Sequence, residues 1–228
     1  VTKTVTLINT PVLGGGIYTI PDIAALLNLS NTKVNRWISK FWDDKLGQEY
    51  KTKYSWNVEF TRAINFHTLI EIYTFYQLTE AGVRPAKILE AHKILSKKYH
   101  TPYPFAKKNI IKNIQTDGIS VLFESNEGVY SLDKKLQLHL AFIRDFFKNL
   151  DFDEGNMAIR LWPLGRNRAI VCDPHHQFGQ PVINGTNILA DIISDMYAAG
   201  DSKEFIAKTY HISTKQVADA IVYGSKAA

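Results

Sequence analysis

Residues 173–186 read DPHHQFGQPVINGT, and several of these side chains could do chemistry. An aspartate followed by two histidines offers a carboxylate and two imidazoles, groups that bind metal ions or move protons. Gly179 and Gly185 offer the open backbone that cradles phosphates. The spacing argues against both uses. In most backbone geometries the rings of adjacent His175 and His176 point apart and cannot share an ion. Cys172 is the only thiol, and the chain has no H-E-x-x-H. No G-K-[ST] and no strand–GxGxxG–helix context surrounds the glycines. The expected role is structural: permissive backbone at Gly179 and Gly185, with Thr186 or Asn187 capping the helix that follows. No metal site and no cofactor is expected. No carboxylate pair, nucleophile–base set or phosphate loop is legible elsewhere, so no enzymatic activity is expected either.

A second constellation lies near the front, in IYTIPDIAALLNLSNTKVNRWISKFW (17–42). Lys33, Arg36 and Lys40 fall on one face of a predicted helix, with Asn31, Thr32 and Asn35 beside them. Arg and Asn read base edges through paired hydrogen bonds, while Lys and Thr hold phosphates. The opposite face carries Val34, Trp37, Ile38 and Phe41 at i, i+3, i+4 and i+7, a buried stripe. Ser30 is the predicted cap. A shorter helix precedes it, capped by Thr19 with Asp22 three residues on, with Pro21 in the first turn and Ile20, Ile23, Ala24 and Leu27 on one face. Two helices so joined predict a helix–turn–helix. DDKLGQEYKTKYSWNVEF (43–60) follows, and alternation at Tyr50, Lys51, Lys53 and Tyr54 predicts a short hairpin wing there. Lys45, Lys51 and Lys53 would then add phosphate contacts.

The wider chain must carry these elements. Its 228 residues suggest two modules, and 45% apolar with 21% charged residues is ordinary globular composition. No run approaches the ~18 apolar residues that span a bilayer. The first residues lack the pattern of a secretory leader and the single cysteine suits a reducing compartment, so a cytoplasmic location is expected. Residues 1–113 carry 16 basic against 8 acidic side chains, and residues 114–228 carry 11 against 14. The front half therefore has the footprint of a polyanion binder.

Asn65 is the predicted cap of FHTLIEIYTFYQLTEAG, and Pro85 opens PAKILEAHKILSKKYH. Residues 111–132 read as short strands with a turn at Asp117–Gly118, and 133–150 as an amphipathic helix with Leu136, Leu140, Ile143 and Phe147 in one stripe. The acidic stretch DFDEGN (151–156) is the expected boundary. MAIRLWPL and RAIVCDP read as a hairpin. Beyond Asn187 a helix is expected to bury Ile188, Ile192, Ile193 and Met196 and to stop at Gly200. A second would be capped by Asp201 with Glu204 and bury Phe205, Ile206 and Tyr210. A third would be capped by Ser213 with Gln216 and bury Val217, Ala220 and Ile221. The fold class expected is mostly α with short β-hairpins (α+β). Its modules are 1–113 as a winged helix–turn–helix with following helices, 114–156 as hairpin and connecting helix, and 157–228 as hairpin plus three-helix bundle.

The stretch CDPHHQFGQPVINGTNILADIISDMYAAGDSKEFIAKTYHISTKQVADAIVY (172–223) resembles the small antitoxin domain of the VapB-type family, formerly of unknown function. It shares the D-P…F-G-x-P-V-I-x-G-T-x-I opening and the t-x-x-q-V-x-x-A-I-x-Y ending. Asn187 stands where that family usually has Arg. The front resembles a MerR-like winged helix, through YTIPDIAALLNLSNTKVNRWI, INFHTLIEIYTFYQLTEAGVRPAKILEAHKIL and PYPFA. The resemblance implies an antitoxin of a bacterial toxin–antitoxin module. Such a protein is a homodimeric repressor of its own operon, binds duplex operator DNA and neutralises a PIN-like ribonuclease toxin. Lys203, Lys208 and Lys215 are the candidate cations for the toxin's carboxylate-lined pocket. A second reading is a MerR-like regulator whose C-terminal half senses a small molecule.

Overall fold

A computed structural model describes residues 7, 9–80, 82–110 and 147–227 of the chain, residues 226 and 227 through their backbone only. The hairpin expected at Asp117–Gly118 and the stripe through Leu136, Leu140 and Ile143 lie outside the described residues. The fold is mixed α+β, with helices around two small antiparallel sheets.

Strand β1 (Tyr18–Thr19) runs straight into α1 (Ile20–Leu27). The predicted capping box forms: the Asp22 amide donates to the Thr19 hydroxyl, and the Thr19 amide donates to the Asp22 carboxylate at 2.8 Å. Asn28 closes α1 in the left-handed conformation, which Asn tolerates better than most residues. Ser30 then caps α2 (Asn31–Trp37), accepting from the Lys33 amide. The chain does not stop there. It continues as a π-helical segment (Ile38–Leu46) into a last turn, α3 (Gly47–Tyr50). The hairpin expected around Tyr50–Tyr54 is displaced toward the C-terminus: β2 (Ser55–Val58) pairs with β3 (Thr61–Ile64), and β3 also pairs with β1. Alternation at 50–54 misled because the buried positions there serve a helix end. Lys51 is the left-handed cap of α3, and Tyr54 hangs from Asp43, whose carboxylate accepts from the Tyr54 and Ser55 amides at 3.0 Å.

Helix α4 (Phe66–Glu80) begins at Asn65, whose side-chain oxygen accepts from the Thr68 amide, and Pro85 opens α5 (Pro85–Tyr99). PYPFA packs beneath both: Phe105 and Ala106 are buried, and the Phe105 amide donates to Glu71 at 2.6 Å. Trp37, Phe41 and Trp42 converge on Phe75 with ring centroids 5.1–5.3 Å apart.

The second sheet has the order β4 (Leu150–Phe152), β5 (Ala158–Leu161), β6 (Ile170–Cys172), β7 (Pro181–Ile183). DFDEGN forms the β4–β5 hairpin. Leu150, Ala158, Leu161 and Cys172 pack into the same core as the front helices. Ile170 and Ile183 instead join a second core with α6 (Ala190–Ala198), α7 (Lys203–Tyr210) and α8 (Thr214–Ala227). Asp219 on α8 is wholly buried and accepts from Arg168 and from the Ala169 amide, tying the helices to the β5–β6 loop.

Three expectations for these helices need correction. The helix after the glycine loop begins at Ala190, with Leu189 as its first flanking residue and no side-chain cap. Thr186 instead stabilises the turn before it, donating to Ile183 and accepting from the Ile188 amide. Ile192 and Phe205 are exposed, because the helices meet through Ile193 and Ile206. Ser202, and not Asp201, caps α7 by accepting from the Phe205 amide. Elsewhere the Ser213–Gln216 box forms as expected, and the helix ends near Gly200, which sits at φ +107°. Among the described residues no helix is long and apolar enough to cross a membrane.

Candidate nucleic-acid interface

Helix α2 buries Val34 and Trp37 and presents Asn31, Thr32, Asn35, Arg36 and, one turn on, Lys40 to solvent. These five side chains are the part of the predicted set that the structure brings onto one exposed face. Lys33 departs from it. Its ammonium lies 3.8 Å from Glu80 and over the rings of Trp37 and Tyr76, so it faces α4. The apolar surface of two aromatics attracts the lysine stem while the carboxylate holds its head.

Lys45, Lys51 and Lys53 are exposed, but none lies on a hairpin. Lys45 belongs to the π-helical segment, with its ammonium over Phe41. The real wing tip is Glu59–Phe60, with Glu59 at φ +45° and Phe60 fully exposed. An acidic and an apolar residue replace the cations expected there. The wing is fixed to the helix by Arg62, whose guanidinium donates to Ser39 and lies 3.3 Å from Asp43. Sequence reading passed over Arg62 and Asp43, although the acid pair ahead of a strand was a usable signal.

DPHHQFGQP proves to be the seam between the front and back of the chain. Tyr18, buried on β1, donates its hydroxyl to the Gly179 carbonyl at 2.8 Å. The Ile17 amide donates to Phe178, and the Gln180 amide group donates to Ile17 and to the α1 cap residue Asp22. Gly179 sits at φ +89°, and a Cβ there would run into the Tyr18 hydroxyl. Glycine is required on both grounds. Gly185, at φ +80°, supplies the turn between β7 and α6. The expectation for the two glycines therefore holds.

The expectation that the histidine rings diverge does not hold. A turn from Asp173 to His176 folds both back, and each Nδ1 lies 3.3 Å from an oxygen of the same Asp173 carboxylate. Asp173 also accepts from the His175 amide at 2.9 Å and from Arg160 Nε at 2.6 Å. Burial pushes its carboxyl up, but the His175 amide and Arg160 together hold it below the usual carboxylate range. Neighbouring Cys172 is buried, which pushes its thiol up and keeps it protonated. Among the described residues no three His, Cys, Asp or Glu side chains are grouped as metal ligands.

Where front and back meet, a groove of about 1020 Å³ opens between α1, the start of α2, and helices α6 and α8. Ser30 and Asn31 stand on its rim, with Asp22, Asp191, Asp195 and Tyr223 along its walls. Burial, followed by the nearby carboxylates of Asp195 and Asp22, raises the Asp191 pKa. Lys208 and Lys215 are exposed on α7 and α8, whereas Lys203 is half-buried with its ammonium over Tyr197.

Residues 170–224 match the profile of a protein family of unknown function, DUF433. No functionally curated protein matches the chain. The crystal structure of Rv2018 from Mycobacterium tuberculosis is similar to this chain, with a TM-score of 0.68 at 19% identity over 94% of this chain and 99% of that one. At that identity the likeness concerns the fold.

Proposed function

We propose that the chain is a DNA-binding antitoxin-type repressor without catalytic activity of its own, in which the front half binds operator DNA and the back half engages a partner toxin. The observation that carries the DNA-binding reading is the solvent face of α2, where Asn31, Thr32, Asn35, Arg36 and Lys40 stand opposite a buried Val34–Trp37 stripe. A helix so buttressed presents rigid side chains to a major groove, and Arg with Asn supplies paired donors for base edges. The basic balance of the front half adds non-specific attraction to the phosphates. The toxin and the homodimer come from the VapB-type and MerR-like resemblances. The DUF433 match supports the antitoxin reading only by marking out the same stretch of chain. Lys208 and Lys215, both exposed, remain the candidates for contact with a PIN-like ribonuclease, with Lys203 secondary to them.

The test is binding of the full chain to DNA upstream of its own gene. Arg36→Glu with Lys40→Glu should remove the sequence-specific shift while the melting temperature stays unchanged. Undiminished affinity in that variant at moderate salt would refute the interface. The partner is tested separately: co-expression with the adjacent open reading frame should yield a complex that rescues growth. Absence of both complex and rescue would instead favour the MerR-like regulator.

A further inference from the structure

The face of the second sheet turned away from the cores holds a cavity that neither DNA nor a toxin explains. The pairing of Leu161 with Cys172 and of Ile170 with Ile183 sends those residues into the two cores. Strand alternation then places Arg160, Val171, Asp173, Val182 and Asn184 on the other side. There they line a cavity of about 320 Å³, closed at one end by the Gly185–Asn187 turn and joined by His176. Val171 and Val182, paired across the strands, are both almost wholly buried.

The polar groups around this apolar floor are unequally engaged. Asp173 accepts from Arg160 and the His175 amide and has His176 Nδ1 3.3 Å away, so its two oxygens are already engaged. Arg160 uses only Nε in that pair, and among the described residues both of its Nη nitrogens lack a partner. The same holds for His176 Nε2 and for the side-chain amides of Asn184 and Asn187. A guanidinium fork, an imidazole and two amides outnumber what the two oxygens of a carboxylate can accept. The three terminal oxygens of a phosphoryl group accommodate them. The volume is at the small end of ligand pockets, which run from about 300 Å³ upward, and exceeds a bare phosphate.

We propose that this cavity binds the phosphoryl group of a small molecule, with Arg160, His176, Asn184 and Asn187 as its donors. The site is independent of the antitoxin reading. The charged and titratable groups lining the cavity with His176 are Arg160 and Asp173, with His175 on the other carboxylate oxygen.

The test is an NMR titration of the full chain with inorganic phosphate, a nucleoside 5′-monophosphate and acetate, following the His176 ring and the Gly185 amide. Saturable shifts with either phosphate and none with acetate are expected. Tighter saturation by inorganic phosphate assigns the free ion, and tighter saturation by the monophosphate assigns an organic phosphate; both support the site. Asn187→Asp places a negative charge on an exposed lip and should weaken binding about tenfold or more at an unchanged melting temperature. Arg160→Lys keeps the charge, loses the fork and should weaken it similarly. Equal saturation by acetate, shifts caused by duplex DNA alone, or a phosphate response that survives both substitutions would overturn the proposal.

Discussion

Among the described residues of the back half Asp173 gathers more hydrogen bonds than any other carboxylate, and its protonation should register in stability. Its folded-state pKa is lowered, so its contribution is fully present above the unfolded value of ~3.9 and is lost as pH falls through the folded value. Asp173→Asn should therefore cost about 1–3 kcal/mol near neutral pH, a figure held down by the partly exposed Arg160 partner. The difference between the two proteins should shrink below the usual aspartate range. Chemical denaturation of both across pH 2.5–7 (roughly the window set by that reference value) checks this, and a pH-independent difference would show that the carboxylate charge is not the cause. Tyr18→Phe is the companion change. It leaves the buried Gly179 carbonyl without its 2.8 Å donor and should cost about 1–3 kcal/mol.

The elements have their own weak points. Helix α1 depends on a reciprocal cap, and Thr19→Ala should cost about 1 kcal/mol in stability. Gly179→Ala should cost more, because a left-handed alanine and a clash with Tyr18 arise together at the joint between β1 and the 173–180 loop. The expected readout is a lowered melting temperature with greater protease sensitivity in 173–180; a loss no larger than that of Tyr18→Phe would show that the loop relaxes. In the wing, Arg62 and Asp43 secure β2 and β3 to the helical segment behind α2. Arg62→Ala should therefore loosen the wing while leaving α2 capped.

Across the whole molecule, the first core takes residues from the front helices and from the second sheet. Met157, Ala158, Leu161 and Cys172 pack with Tyr18, Phe66 and Leu69, and the His67 ring lies 3.1 Å from the Ala158 carbonyl. Burial of that ring lowers the His67 pKa, which favours the neutral form. Cutting the chain at residue 157 would strip β4 from β5 and bare this face. Residues 1–113 expressed alone should thus expose apolar surface and bind a hydrophobic dye, whereas the full chain should not. A monomeric, cooperatively folding fragment that ignores the dye would show that the front core is complete without β5 and β6. Deeper in that core, Glu71 and His92 lie 2.8 Å apart but out of hydrogen-bond alignment, beneath the Phe105 turn. Burial raises the Glu71 pKa.

Local rules determined the caps at Thr19, Ser30, Asn65 and Ser213, the stripe at Val34, Trp37 and Ile38, the β5–β6 hairpin, and the need for glycine at 179 and 185. Each depends on residues within a few positions of one another, where dihedral preference and periodicity act directly. The exposed face of α2 was legible for the same reason. Only tertiary structure decided that the helix runs on through Leu46 and moves the wing, that Lys33 turns to Glu80, and that Ile192 and Phe205 stay outside. It alone also made DPHHQFGQP the seam against β1. Those outcomes rest on partners 11 to 163 residues away, such as Asp43 with Tyr54 and Ile17 with Gln180. Periodicity along the chain reports which side of an element is apolar; what that side meets is fixed by packing between distant segments.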